Sequence, residues 1–269
     1  MNVKNPTLSI VVLTIMLFSL FYFFTPKGSA SVPNGANVTV LNVTSSNIDS
    51  ATAAYAQAGN VSEVNLNAFS TTKSWQGYFG NVSGTIELTD GSSNVMFNWS
   101  AISPQGEVYM STNSTIDWVN IQCFNFTANG TQESSDLNLG GLTSLAGTNL
   151  TMLESMYGIN GSDVDGVDET FTKAGVGGHR EFFTGNRGFS EGECKSTNLF
   201  SDAQYGESTK FQEILLYEPA TTSIVFASLL EQDLLGFDQR THDFQAMVLE
   251  DGHEGDSSAV LYYFFVELS

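Results

Sequence analysis

The chain has 269 residues, with 29 acidic against 9 basic side chains and a net charge of −20 at pH 7. Such a field repels nucleic acid and anionic lipid headgroups and attracts cations, and it excludes nucleic acid as a partner. Charged residues make up only 14% and Phe numbers 20, so the composition implies a packed core rather than charge-driven disorder.

Residues 7–24, TLSIVVLTIMLFSLFYFF, carry no charge. As a helix this run spans ~27 Å, close to the hydrocarbon thickness of a bilayer. It reads as a signal anchor kept as one transmembrane helix, with Tyr22 at its outer, interfacial end. The competing reading is a cleaved signal peptide, with Lys4 as n-region and Gly28-Ser29-Ala30 as the cleavage site. Either way the C-terminal part is exported: a single-pass membrane protein facing outward, or a secreted one if cut after Ala30.

Directly behind this run, ten N-x-[ST] acceptors crowd together: Asn37, Asn42, Asn60, Asn81, Asn98, Asn113, Asn125, Asn129, Asn149 and Asn160. Composition alone would give about four. A glycan is bulky, hydrated and confined to an exported surface, so the cluster predicts an extracellular glycoprotein. Lys73 is the only basic residue between Gly28 and Thr172, so the same stretch is also strongly anionic.

Beyond a linker at 31–36, residues 37–43 alternate and predict a strand, and 61–66 predict a second, weaker one. Residues 85–89 and 94–99 flank Asp90-Gly91 and predict a hairpin. Residues 107–111 follow the turn Ser103-Pro104-Gln105-Gly106 as another strand. Residues 131–148 read as loop and 150–157 as a short helix ended by Gly158. The Gly-rich stretches 174–178 and 185–192 read as loop. Strands are expected at 211–217, 223–230, 244–250 and 260–268; the last is apolar on both parities, as in a central strand covered on both faces. The fold class predicted is mainly β: an elaborated β-sandwich or two β lobes with a small helical insertion, preceded by one N-terminal apolar helix. The divisions are 1–30, 31–130 (sequon-rich lobe), 131–178 (loop and helix insertion) and 179–269 (C-terminal β region).

Cys123 and Cys194, an even number in an oxidising compartment, predict a disulfide. Asp163, Asp165, Asp168 and Glu169 place four carboxylates within seven residues around Gly166, a composition suited to calcium but lacking the EF-hand spacing. The competing reading is an acidic, solvated loop. Asp251, His253, Glu254 and Asp256, with His242 and Asp243 upstream, offer zinc-type ligands in a turn where such residues also serve solubility. His179 lies near Glu181 as a structural histidine would. Trp75, Trp99 and Trp118 suit either sugar stacking or sheet packing, and their strand-like neighbours favour packing. Nucleophile elbow, Walker loop, dinucleotide fingerprint and H-E-x-x-H are all absent from the sequence, and no catalytic residue is assigned.

Trp75-Gln-Gly-Tyr-Phe-Gly-Asn-Val-Ser-Gly84, Phe211-Gln-Glu-Ile-Leu-Leu-Tyr217, Asp243-Phe-Gln-Ala-Met-Val, Glu250-Asp-Gly-His253 and Tyr262-Tyr-Phe-Phe-Val-Glu267 occur in that order. Together they resemble uncharacterised secreted or membrane-anchored surface proteins of archaea. That resemblance implies a surface protein and transfers no catalytic residue. The expected function is a cell-envelope glycoprotein with a structural, protective or adhesive role. Its partners would be the membrane, through the N-terminal helix, and envelope proteins or glycans. The alternative is a secreted glycan-binding or hydrolytic module using the acidic loops. Pilin-like assembly fits less well, because the apolar run lacks a basic-Gly processing site before it and an acid within it.

Overall fold

The computed structural model describes residues 32–45, 50–100, 105–124, 150–202, 207–250 and 259–268. The apolar run at 7–24, the loop at 131–148, the acceptors Asn125, Asn129 and Asn149, and the turn at 251–256 lie outside them. Among the described residues no helix is long and apolar enough to cross a membrane.

The protein is mainly β. Its first strands are β1 (Asn34–Gly35), β2 (Trp75–Gly80), β3 (Thr85–Thr89), β4 (Val95–Ser100), β5 (Gly106–Ser111) and β6 (Gln122–Cys123). Two short helices follow, α1 (Leu150–Met156) and α2 (Val167–Thr170). Next come β7 (Phe182–Thr184), β8 (Arg187–Phe189), β9 (Ser196–Phe200), β10 (Glu207–Glu218) and β11 (Ser223–Leu229). The C-terminal strands are β12 (Leu234–Leu235), β13 (Thr241–His242), β14 (Phe244–Leu249) and β15 (Tyr263–Leu268).

One antiparallel sheet organises the rest, in the order β1-β15-β5-β11-β10-β6 with β9 also on β10. Both faces are covered. Tyr109, Ile214, Leu216, Val225, Ala227 and Phe265 share one face with the β7–β8 hairpin, where Phe182 stacks on Phe189 at 4.7 Å. The Cys123–Cys194 disulfide forms in this layer, with Cα atoms 4.9 Å apart. Met110, Leu215, Tyr217 and Phe226 point to the opposite face. They meet Ala246 and Val248 of the β14–β2 ribbon and Leu153, Val167 and Phe171 from the helical segment. The strict parity reflects the two-residue repeat of a pleated strand.

β14 is held by more than its pairing with β2. Ser228 Oγ of β11 donates to the Gln245 carbonyl at 2.8 Å, and both Glu213 oxygens of β10 accept from the Met247 N–H at 3.0 Å. Side chains of the large sheet thereby satisfy backbone groups of β14, which answers the hydrogen-bonding demand of a buried strand.

The Asp90-Gly91 hairpin, the strand at 107–111, the helix from Leu150 and the C-terminal strands are present. Asp90 closes its turn by accepting from the N–H groups of Ser92 and Asn94 at 2.9 and 2.8 Å. Segments 37–43 and 61–66 are not strands. The chain leaves the sheet after Ala36, whose N–H donates to the Phe264 carbonyl, and Val38, Val40, Leu41 and Val43 are all exposed. Alternation describes a fit to a half-buried surface, and among the described residues no sheet edge receives these. The stretch 185–192 is not all loop, because Gly185, at φ 56°, forms the two-residue turn that returns the chain as β8. β15 is paired on both sides, by β1 and β5, with Phe265 and Glu267 buried on one face and Phe264, Val266 and Leu268 partly buried on the other.

Candidate functional site

Two carboxylate clusters stand out, one at the helical segment and one in a cleft beside the large sheet.

The first is built by α1 and the loop that follows it. Gly158, at φ 66°, ends the helix, and the chain then turns twice, through the Asp163 N–H on the Asn160 carbonyl and the Gly166 N–H on the Asp163 carbonyl. α1 buries Leu153 in the core and its neighbour Glu154 beside it. Gly166 cannot cap α2 with a side chain, and Glu154 does so instead. Its Oε1 accepts from the N–H of Val167 at 2.7 Å and of Asp168 at 3.2 Å. Its Oε2 is buried without a hydrogen-bond partner. Glu154, Asp168 and Glu169 each present an oxygen within 4.8 Å of the others. Burial, and then Asp168, hold the Glu154 carboxyl above its ordinary range. Contact with Glu169 holds Asp168 below its own, and Asp168 in turn raises Glu169.

Of the four acids expected to bind calcium, Asp168 and Glu169 therefore meet one another and Glu154. Asp163 Oδ2 accepts from the Asn160 N–H at 3.1 Å. Asp165 Oδ2 accepts from Thr72 Oγ1 at 2.5 Å, and its carbonyl accepts from the Trp75 indole N–H at 2.7 Å. These last contacts tie the loop to β2. Glu154 was missed in sequence because it follows Leu153 in a short helix of ordinary composition. The signal was its spacing: four residues from Leu150, it shares that residue's apolar side.

The second cluster is a pair of glutamates facing each other across β5 and β15. Glu107 and Glu267 are direct partners in the register, and both are buried. Gly106 permits the approach, because a Cβ there would fall 2.0 Å from the Glu267 carbonyl oxygen. The Tyr109 hydroxyl lies 3.5 Å from Glu107 Oε2, 3.4 Å from Glu267 Oε2 and 2.9 Å from Thr184 Oγ1. The Gly185 N–H donates to both Glu267 oxygens, at 3.0 and 2.9 Å. Burial first, and the facing Glu267 second, push Glu107 up to about 8 against the opposing pull of Arg180. Burial and the facing carboxylate thus favour the protonated form of Glu107. The pair borders a cleft of about 700 Å³, across which Arg180 pairs with Glu231 and donates to the Leu230 carbonyl at 2.6 Å. Neither glutamate stood out in sequence, since each is one acid within a strand.

The histidines outside the 251–256 turn serve structure. His179 is buried, with Nδ1 on the Arg180 carbonyl at 2.8 Å and Nε2 accepting from the Cys194 N–H at 2.9 Å, and burial lowers its pKa. His242 Nε2 sits 2.7 Å from Asp238 Oδ1. Trp75 and Trp118 pack against the two core layers, while Trp99 stands half exposed beside Phe97 on the β3–β4 hairpin.

Among the acceptor asparagines, Asn37, Asn42, Asn60, Asn81, Asn98 and Asn160 are exposed. Asn113 is partly buried, and its Nδ2 donates to Ser223 Oγ at 3.1 Å. No protein family, curated protein or solved structure matches the chain.

Proposed function

We propose that this is an exported cell-envelope glycoprotein with a structural, protective or adhesive role, tethered by its N-terminal apolar run or released by cleavage after Ala30. The observation that carries the reading is the position of the acceptors: six of the seven described ones project into solvent, where a glycan costs no packing. The disulfide agrees with an oxidising compartment. The ribbon of β14 and β2 against the large sheet is read as the second layer of an elaborated sandwich. Intact-mass and glycopeptide analysis of protein from its native membrane tests this reading. Glycans are expected at the six exposed acceptors, with Asn113 the least occupied because its amide is engaged. Unmodified asparagines throughout would overturn it.

The cleft favours a second reading, a secreted glycan-binding or hydrolytic module. A carboxyl whose protonated form is favoured is suited to general-acid work on a glycosidic oxygen. On this reading Glu107→Gln abolishes hydrolysis of a polysaccharide substrate; wild-type protein inert across a panel of such substrates removes the hydrolytic version.

A further inference from the structure

The geometry points to a divalent cation site of the calcium class at Glu154, Asp168 and Glu169, with the Asp163 carbonyl as a further oxygen. Three carboxylates from two separate segments converge within 4.8 Å, and like charges so placed repel unless a cation or proton sits among them. Acidity alone does not distinguish this cluster. Its distinctive member is Glu154, fully buried, whose Oε2 has no hydrogen-bond donor although buried polar atoms are nearly always satisfied. Oε1 is already committed to two backbone N–H groups, so the carboxylate is fixed in place and its other oxygen still needs a partner.

Gly166 provides the second sign of a built cradle. A Cβ there would lie 2.5 Å from Glu169 Oε2, 2.7 Å from Glu154 Oε1 and 3.2 Å from the Asp163 carbonyl oxygen. Oxygens from three residues thus pack directly against the one position that carries no side chain, so any side chain there would displace them. The backbone at Gly166 is extended, with φ −68°, so its conformation does not demand glycine; the space does.

The ligand set selects the ion. All the donors are oxygens, which suits hard cations and disfavours zinc. Supplied by loop and helix at uneven spacing, they fit the adaptable shell of calcium better than the strict octahedron of magnesium. Two of the three carboxylates are exposed, which leaves room for water to complete the shell. Affinity in the range of extracellular calcium modules is expected, with Kd on the order of 10⁻⁴–10⁻³ M.

The test titrates the purified full-length protein with terbium, a luminescent calcium substitute, and then displaces it with calcium chloride. Trp75 donates to the carbonyl of Asp165 in the same loop and serves as the sensitiser. Saturable emission that calcium reverses is expected, with a thermal midpoint that rises with calcium. Glu169 is exposed, so Glu169→Gln leaves folding intact and weakens binding by about tenfold or more. Gly166→Ala forces Glu169 Oε2 and Glu154 Oε1 out of their present positions and is expected to abolish emission. Absent emission with a calcium-independent midpoint overturns the site, as does equal affinity in Glu169→Gln and the wild type.

Discussion

At the level of single residues, the most consequential are the buried acids at the edge of the cleft. Glu107 faces Glu267 across two strands, and both side chains are buried. Two ionised carboxylates there would repel at low dielectric, so the pair is compatible with the fold when Glu107 holds a proton. Its folded pKa, about 8, lies above the 4.5 of an ordinary glutamate. The folded state therefore retains a proton that the unfolded chain releases. The associated stabilisation is complete below pH 4.5 and is lost as pH rises through about 8. Glu107→Gln removes this dependence by supplying a permanently neutral group of the same shape. Its thermal midpoint is expected to fall less than that of the wild type between pH 5 and pH 9, with the variant gaining on the order of a few kcal/mol at the alkaline end. Parallel midpoint curves for the two proteins would refute the shared-proton account.

At the level of elements, the large sheet is fastened to what covers it by a few directed contacts. Ser228→Ala leaves the buried Gln245 carbonyl without its donor, and a loss of about 1–3 kcal/mol is expected in urea unfolding. On the other face the disulfide joins β6 to the segment just before β9, across 71 residues of chain. Replacing both cysteines by alanine frees that loop in the unfolded state. The expected cost is about 4 kcal/mol, or a midpoint roughly 8–16 °C lower by calorimetry. The elements themselves were legible wherever local chemistry decided them. Asp90-Gly91 specifies its own turn, and the β10 and β11 runs carry enough apolar residues to be strands in any company. Residues 37–43 have an equally good alternation and yet form no strand, because period fixes a face and not a partner. β8 was hidden for the opposite reason: its Arg187-Gly188-Phe189 looks like loop until Phe189 stacks on Phe182. The convergence of acids in both clusters was illegible in the same way. Sequence showed that Asp168 and Glu169 are adjacent, but only packing brings Glu154 to them or sets Glu107 opposite Glu267.

At the scale of the whole molecule, charge sets the terms. Twenty-nine acids against nine bases leave a field that opposes compaction. The arginines do little to relieve it, because each is spent locally: Arg180 on Glu231, Arg187 on Glu193 and Arg240 on Asp238. These pairs lie at or near the surface, where an ion pair contributes about 0–1 kcal/mol and is itself screened by salt. The long-range repulsion among the remaining acids is the larger quantity, and at 0.1 M salt it already decays over about 10 Å. Salt should therefore weaken the unfavourable term more than the favourable one. Raising sodium chloride from low ionic strength to about 1 M, where the screening length is about 3 Å, is expected to raise the thermal midpoint progressively. Sodium does not substitute for calcium at a carboxylate cage, so the rise should persist in Glu169→Gln. A midpoint that falls with sodium chloride would mean that local ion pairs outweigh the net field, and that the acidic surface is locally balanced despite its total.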